Sequence, residues 1–254
     1  MSELIVLGSA NAVTSPGHAN THLLLSTDNK RVLIDCGTNP VVQLQEAGCD
    51  INSVTDIILT HMHPDHVSGF PILLMDMWLT GRKHPINVYG LSFTLERIEQ
   101  MMSLYNWHEW PDFFQVNFFT IPSGKHELVL QDNDLKIISS PAKHFLPNIC
   151  LRMELQPGNK NIVYSCDTEP SLDVQDLAQA ADILIHEATG NLPGHSSALQ
   201  AAEIAQNAGV KTLFLIHYPV SDLTNETQLK EAANYYSGKI IRAVDSMRIN
   251  LDNL

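Results

Sequence analysis

THMHPDHVSG, Thr60 to Gly69, sets three histidines and an aspartate inside six consecutive positions, His61 to His66. The apolar run DIIL (56–59) leads into it, and Val67 to Leu79 follows with helical spacing. Imidazole and carboxylate at such density are the makings of a metal site. One turn of chain cannot close a coordination shell, so the missing ligands must come from elsewhere.

They recur in a regular way. LKIISSPAK precedes His144, NIVYSC precedes Asp167, and TLFLI precedes His217. Each is a buried-type strand that runs out into a metal-capable side chain, and residues on one edge of a sheet can converge on one pocket. Any one of these could be just the place where polar sequence begins. Together with the opening cluster they form a pattern. His61, His63, His66, His144 and His217 offer imidazoles, and Asp65 and Asp167 offer carboxylates. Seven ligands exceed one tetrahedral zinc and suit two metals sharing a carboxylate. Nitrogen and oxygen donors without thiolate favour two Zn2+, with Mn2+ or Fe2+ admitted by ligand type. Such a centre would hold a hydroxide between its ions and clamp a forming oxyanion.

The 254 residues are enough for a substantial core, and 44% apolar with 17% charged residues is an ordinary globular mixture. The formal net charge of −13, with no dense run of Lys and Arg, argues against a long nucleic-acid footprint. Cys36, Cys49, Cys150 and Cys166 lie far apart without a CxxC pair, as reduced thiols do. The N-terminus lacks a basic leader, and no apolar stretch has membrane-spanning length. The expectation is a soluble cytoplasmic protein with no membrane partner.

Short β-type runs bounded by turn residues recur along the chain, from LIVLG (4–8) to KIIRAV (239–244). Between them the spacing predicts helices over Val67 to Leu79, Ser92 to Leu104, Leu172 to Ala180, Ser196 to Ala208 and Asn225 to Tyr236. The last but one has a Ser N-cap and Gly209 as its stop. Gln156 to Asn161 reads as a hairpin loop. The late half repeats the mixture of the early half, which predicts one α/β (α+β) domain over 1–254 with helices covering sheets.

HMHPDH followed by SSPAKH, SCDT and LIHY resembles the metallo-β-lactamase superfamily, whose signature is HxHxDH with later His, Asp and His. VLIDCG, TGRKHPINVYG, ILIHEATG with GHSSALQAAEIA, and AVDSMRINL are similar to its ribonuclease Z-like branch. The resemblance spans nearly the whole chain and implies a four-layer αββα sandwich with metals at one edge of the sheets. It implies that His61, His63 and His144 hold one ion, that Asp65, His66 and His217 hold the other, and that Asp167 bridges them. It further implies that His195, the histidine of GHS, reaches the leaving-group oxygen, a task suited to a group of near-neutral pKa. Glu187 would orient or tune His195, while His186 points to the opposite strand face and is read as packed.

Three features depart from the branch. Ribonuclease Z enzymes that grip tRNA usually carry a long arm between the third-motif His and the bridging Asp, whereas His144 and Asp167 here span only two strands and a hairpin. Cys166 stands where glycine is expected before the aspartate, and is read as a packed thiol. The aromatic stretch Met101 to Phe119 suits either a mouth over the metals or a connection packed on the core or on a second subunit. The family often dimerises, so a homodimer is an open expectation. His18 is read as a loop residue at the pocket rim with Asn20 and Thr21 nearby. His22, His84, His108 and His126 are read as structural or surface residues.

The reading is therefore a dinuclear zinc hydrolase acting on a small or cyclic phosphodiester through a bridging hydroxide. Asp65 would orient the nucleophile and His195 would assist departure. An RNA endonuclease, or an aryl sulfatase or carboxylic-ester (lactone) hydrolase, would use the same site. A metal-binding regulatory protein is the alternative without turnover, opposed by the complete ligand set and His195.

Overall fold

The structure, a computed structural model, describes residues 2–220 and 225–252. In the first half of the chain lie β1 (Glu3–Gly8), β2 (His22–Ser26), β3 (Arg31–Ile34), α1 (Pro40–Glu46), β4 (Asp56–Leu59), α2 (Pro64–Val67), α3 (Phe70–Leu79), β5 (Ile86–Gly90), α4 (Ser92–Ser103) and β6 (Val116–Thr120). The second half contributes β7 (Glu127–Gln131), β8 (Leu135–Pro141), β9 (Ile149–Leu155), β10 (Lys160–Tyr164), α5 (Leu172–Leu177), β11 (Ile183–Glu187), α6 (Ala198–Asn207), β12 (Thr212–Ile216), α7 (Asn225–Tyr235), β13 (Lys239–Arg242) and β14 (Met247–Asn250).

Two seven-stranded sheets result, ordered β14-β1-β2-β3-β4-β5-β6 and β13-β12-β11-β10-β9-β8-β7. Both are mixed in the same way. Three antiparallel pairings are followed by three parallel ones, from β3 to β6 in the first sheet and from β10 to β13 in the second. The recurrence of one strand-and-helix mixture in both halves of the sequence is this repeated arrangement.

The strands are apolar on both faces because both faces are covered. Leu4, Val6, Ile58, Ile183 and Ile216 point into a core shared by the two sheets. Their neighbours Ile5, Leu7, Ile57 and Leu59 pack beneath α1, α3 and α4. On the other side, Leu184, Leu213 and Leu215 pack with the alanine-rich face of α6. The layers run helix, sheet, sheet, helix: the αββα sandwich that the resemblance implied.

Several boundaries differ from the spacing-based expectation. Val67 to Leu79 is two helices, broken at Ser68 and Gly69, because the chain there lies against the 36–40 segment. A Cβ on Gly69 would stand 2.5 Å from Pro40 Cδ and 2.6 Å from the Gly37 oxygen. α6 opens at Ser197, whose side chain and Gln200 form a reciprocal capping box. α1, β7 and β14 fall outside the elements expected from spacing; β7 (ELVLQ) carries three consecutive apolar residues without alternation, and of these Val129 and Leu130 are buried.

The aromatic stretch Met101 to Phe119 is a connection packed on the core. Trp107 and Phe114 are buried beneath the first sheet, and Trp110 stacks on Trp78 of α3 with ring centroids 5.0 Å apart. The reading of this stretch as a mouth over the metals is corrected, since none of its residues lines the cavity at the metal-capable cluster.

Candidate metal centre

Strand direction explains the convergence. The pairing makes β1, β3 and β4 parallel to one another in the first sheet, and β8, β10, β11 and β12 in the second. Their carboxyl ends therefore emerge at common edges, where open α/β sheets bind ligands. Past β4 come His61, His63 at the N-terminus of α2, and Asp65 and His66 within it. His144 follows β8, Asp167 follows β10, His195 precedes α6, and His217 follows β12. Asp35, Cys166 and His217 take left-handed backbone (φ 64°, 50° and 52°), turning the chain sharply at the ends of β3, β10 and β12. That conformation is why glycine suits position 166; the thiol there is buried 2.9 Å from Thr60 Oγ1, and burial pushes its pKa well up.

The seven side chains form two groups with one shared member. His61, His63, His144 and Asp167 each aim a ligand-capable atom into a space less than 4.8 Å across, as do Asp65, His66, His217 and Asp167. In the first group His63 Nδ1 is 3.0 Å from both His61 Nε2 and His144 Nε2. In the second, Asp65 Oδ2 is 3.3 Å from His217 Nε2 and 3.6 Å from His66 Nε2. Asp167 spans both: Oδ2 is 3.9 Å from His61 Nε2 and His144 Nε2 and 3.5 Å from His66 Nε2, while Oδ1 is 3.4 Å from His217 Nε2. Zinc–nitrogen bonds of about 2.0–2.1 Å in a tetrahedron imply ligand atoms roughly 3.4 Å apart, and these separations are of that size.

Outer hydrogen bonds fix which nitrogen faces inward. His144 Nδ1–H donates to the Gly194 carbonyl at 2.7 Å. Thr189 Oγ1 spends its proton on the His217 carbonyl, so it accepts from His217 Nδ1–H at 2.8 Å. Thr60 Oγ1 donates to Asp35 and accepts from His61 Nδ1–H at 3.1 Å. His66 Nδ1–H donates to Asp35 Oδ2 at 2.8 Å. Each leaves its Nε2 lone pair directed at the cluster, the arrangement of a histidine prepared for a metal. His63 Nδ1 can donate to only one of its two neighbours. His66 Nε2 and Asp167 Oδ1 are buried without any hydrogen-bond partner. Converging lone pairs and orphaned buried acceptors are costly without a cation among them, so the residues fit divalent metal.

The charge states agree for all but His66. Burial, then the neighbouring His66, holds His61 well below the ordinary histidine value, and burial lowers His63 and His144. Burial opposes ionisation of Asp167, but His217 and His66 outweigh it and keep the carboxylate well below its usual range. For His66 burial is outweighed by Asp167 and Asp35, which raise it. Binding an ion at its Nε2 therefore releases a proton.

Beside the cluster, His195 Nδ1 lies 3.0 Å from Glu187 Oε1. The buried Glu187 carboxylate also accepts from the Thr168, Ser196 and Thr189 backbone N–H groups, which lock its position. Burial would lower His195, but the bond to Glu187 prevails and raises it. His186 is fully buried on the other face of β11, its Nδ1–H donating to the Glu187 carbonyl. His195 and the metal-capable cluster open on a cavity of about 360 Å3 lined by Asn11, His63, Asp65, Phe145, Asp167, His195 and His217 among others.

Other histidines stand apart. His18 lines a separate surface cavity with Thr38, Gln43 and Asp245, not the rim of this one. His22 is buried with Nδ1 bonded to the Asn20 carbonyl. Asn20 acts from behind, its amide donating to the Asn11 carbonyl. The residues that sequence reasoning missed are Asp35, Thr189, Asn11 and Phe145. Asp35 had a signal, since it ends a strand in VLIDCG as the ligand candidates do. The others sit in loops without periodicity.

Comparison with known proteins agrees with this geometry. The ribonuclease Z of Methanothermobacter thermautotrophicus is 28% identical, with 93% of this chain and 92% of that protein covered. The metallo-β-lactamase fold protein YhfI of Bacillus subtilis superposes with a TM-score of 0.83 at 20% identity, covering 98% of each chain. The short form of human tRNase Z does so at 0.79 and 23% identity, covering 98% of this chain and 99% of its own. Residues 2–237 match the family described as "Anti-Pycsar protein Apyc1". Fold, cluster and relatives thus agree that this is a metal-dependent hydrolase of the ribonuclease Z-like branch of the metallo-β-lactamase superfamily, and within it the chain belongs to the Anti-Pycsar protein Apyc1 family.

Proposed function

We propose that the chain is a dinuclear zinc phosphodiesterase whose substrate is a small or cyclic phosphodiester. The observation that carries this is the pair of four-ligand groups sharing Asp167, with His195, held by the buried Glu187, opening on the same cavity. His61, His63 and His144 would hold one ion, Asp65, His66 and His217 the second, and Asp167 both. Two such ions supply a water activated for attack at neutral pH and neutralise charge on the phosphoryl oxygens.

The chain's own residues do the rest. Asp65 stands at the cavity wall, where its carboxylate can accept a hydrogen bond from the attacking water and orient it. His195, kept protonated toward neutral pH by Glu187, can deliver a proton to the departing alkoxide. Glu187 accepts three backbone hydrogen bonds and so holds the imidazole in one orientation. Asn11 spends Oδ1 on the Val13 N–H and leaves Nδ2 as a neutral donor toward the cavity. Among the described residues no lysine or arginine lines that cavity, so a phosphoryl group there would depend on the ions, His195 and Asn11.

Two observations favour a small substrate over a long RNA. The segment between His144 and Asp167 is filled by β9, β10 and their connections, with no room for an arm. The alignment with the archaeal ribonuclease Z runs over 291 positions against 254 residues here, so that relative carries segments this chain lacks. The same reading takes the chain as one domain: the inter-sheet core draws on both halves, and β14 returns to pair with β1.

The test is a panel on zinc-reconstituted protein: bis-aryl and cyclic phosphodiesters, aryl sulfates, lactones and a tRNA precursor. Turnover of the phosphodiesters is expected to exceed that of the others, and Asp167→Ala to abolish it. His195→Ala should slow diesters with alkoxide leaving groups by about 10²–10⁴-fold and those with nitrophenolate far less. Preferential tRNA cleavage would favour the endonuclease reading.

A further inference from the structure

Phe145 is 66% exposed, although it directly follows His144, a metal-ligand candidate whose side chain is buried. An unburied phenyl ring forgoes the stabilisation that burial would give it, so its place calls for a reason. The ring lies 5.4 Å from the His144 ring, tilted by 56°. It also rests against the loop that carries His195. Gly194 makes this approach feasible: its φ of +77° disfavours a side chain, and a Cβ there would stand 2.6 Å from Phe145 Cε2. The fold holds an exposed ring between the metal-capable cluster and the His195 loop.

Phe145 lines two cavities. One is the 360 Å3 cavity of the candidate metal centre, and the other, about 400 Å3, shares Phe145 with it and is also lined by His144. Leu91, Pro141, Leu146, Pro147 and Ile149 supply most of the wall of the second. Among the described residues no Lys, Arg, Asp or Glu lines it. Of its few polar groups, Asn148 is already committed, with Nδ2 donating to the Asp167 carbonyl and Oδ1 accepting from the Ile149 N–H. His144 spends Nδ1–H on the Gly194 carbonyl, so a phosphoryl group would meet no cation there and little beyond the Ser123 hydroxyl, whereas an uncharged flat ring has an aromatic face and an apolar floor.

We infer that this second cavity is the subsite for a planar, uncharged ring carried by the substrate, with Phe145 as its stacking wall. The inference rests on the phosphodiesterase reading and extends it: the phosphoryl group occupies the metal side of Phe145 and the ring occupies the other. Aryl and nucleobase rings share the required chemistry, and both arms belong in the test.

Affinities for zinc-loaded protein can be measured by calorimetry for two matched pairs, phenyl phosphate against methyl phosphate and adenosine 5′-monophosphate against ribose 5-phosphate. Stacking on one aromatic side chain is worth roughly 5- to 150-fold. At least one ring-bearing ligand should exceed its ringless partner by a factor in that range. The ratio should fall toward one in Phe145→Ala and return in Phe145→Tyr. A fall for the phenyl pair alone identifies an aryl subsite, and a fall for the nucleotide pair alone identifies a nucleobase subsite. Ratios near one in the parent protein, or unchanged in Phe145→Ala, overturn the subsite. Absence of binding by all four ligands overturns it too. Failure of the phosphodiesterase reading has a separate signature, no hydrolysis of any diester by the same sample.

Discussion

Single atoms decide whether the histidine cluster is a metal site or a crowded loop. Asp35 shows this best: it is fully buried and accepts from Thr60 N–H, Thr60 Oγ1 and His66 Nδ1–H at 2.8–2.9 Å. Through Thr60 it also sets the tautomer of His61. Asp35→Asn preserves shape but replaces one acceptor by a donor that opposes His66 and Thr60. Zinc affinity measured by competition with a chromophoric chelator should fall about 10- to 100-fold, the usual effect of losing such a partner. Unchanged affinity would mean that His66 is not oriented by Asp35. The sequence offered the ligand candidates because four of them crowd into HMHPDH and because His61, His144, Asp167 and His217 follow apolar runs. Thr189 and Asn11 gave no such sign, since threonine and asparagine are ordinary loop residues and only the folded chain brings them to His217 and the cavity.

At the level of elements, the site depends on how closely α2 lies against the end of β3. Cys36 N–H donates to the His66 carbonyl at 2.7 Å, and Gly69 N–H to the Cys36 carbonyl at 2.8 Å. Between them a Cβ on Gly37 would overlap the Asp65 carbonyl. Gly37→Ala should therefore displace α2, with Asp65 and His66 on it. Overpacking of this kind costs about 1–3 kcal/mol. Thermal melting of zinc-free protein should drop by several degrees, and zinc stoichiometry should fall with it. An unaltered melt and full zinc content would refute the close-docking account. Apolar periodicity announced the strands of both sheets and most helices. It merged α2 with α3, because the break is made by contact with a distant segment and not by a local stop. It missed β7, whose Leu128, Val129 and Leu130 run together without alternation, the four-residue β14, and α1, a short helix opened by Asn39 and Pro40.

Across the whole molecule, a double-sided sandwich buries polar groups that a smaller fold would leave in water. His186 is one, fully buried on the helix side of β11 with Nε2 lacking a partner. Burial holds its pKa below the ordinary value. In the unfolded chain it titrates near 6.5, so below that pH the unfolded state binds the extra proton. The stability from its neutral form is present above about pH 6.5 and is lost as pH falls toward the lowered folded value, by at most about 1.4 kcal/mol per pH unit. The melting temperature of His186→Met should decline less between pH 7.5 and 5.5 than that of the parent. Equal declines would remove His186 from the acid sensitivity. The αββα architecture itself was legible through HMHPDH and its partners, and the −13 charge with the short 144–167 interval pointed to a small substrate. The second cavity behind Phe145 was not legible, because its wall is assembled from Leu91, Pro141 and Ile149, which lie far apart in the chain.

The central claim is that seven side chains form one two-ion centre that hydrolyses phosphodiesters. It is tested most directly by measuring tightly bound zinc and bis-aryl phosphodiesterase activity on one reconstituted, gel-filtered sample. The account predicts two zinc ions per chain, with activity rising as the second ion is loaded. Full activity at one ion per chain or fewer would contradict it.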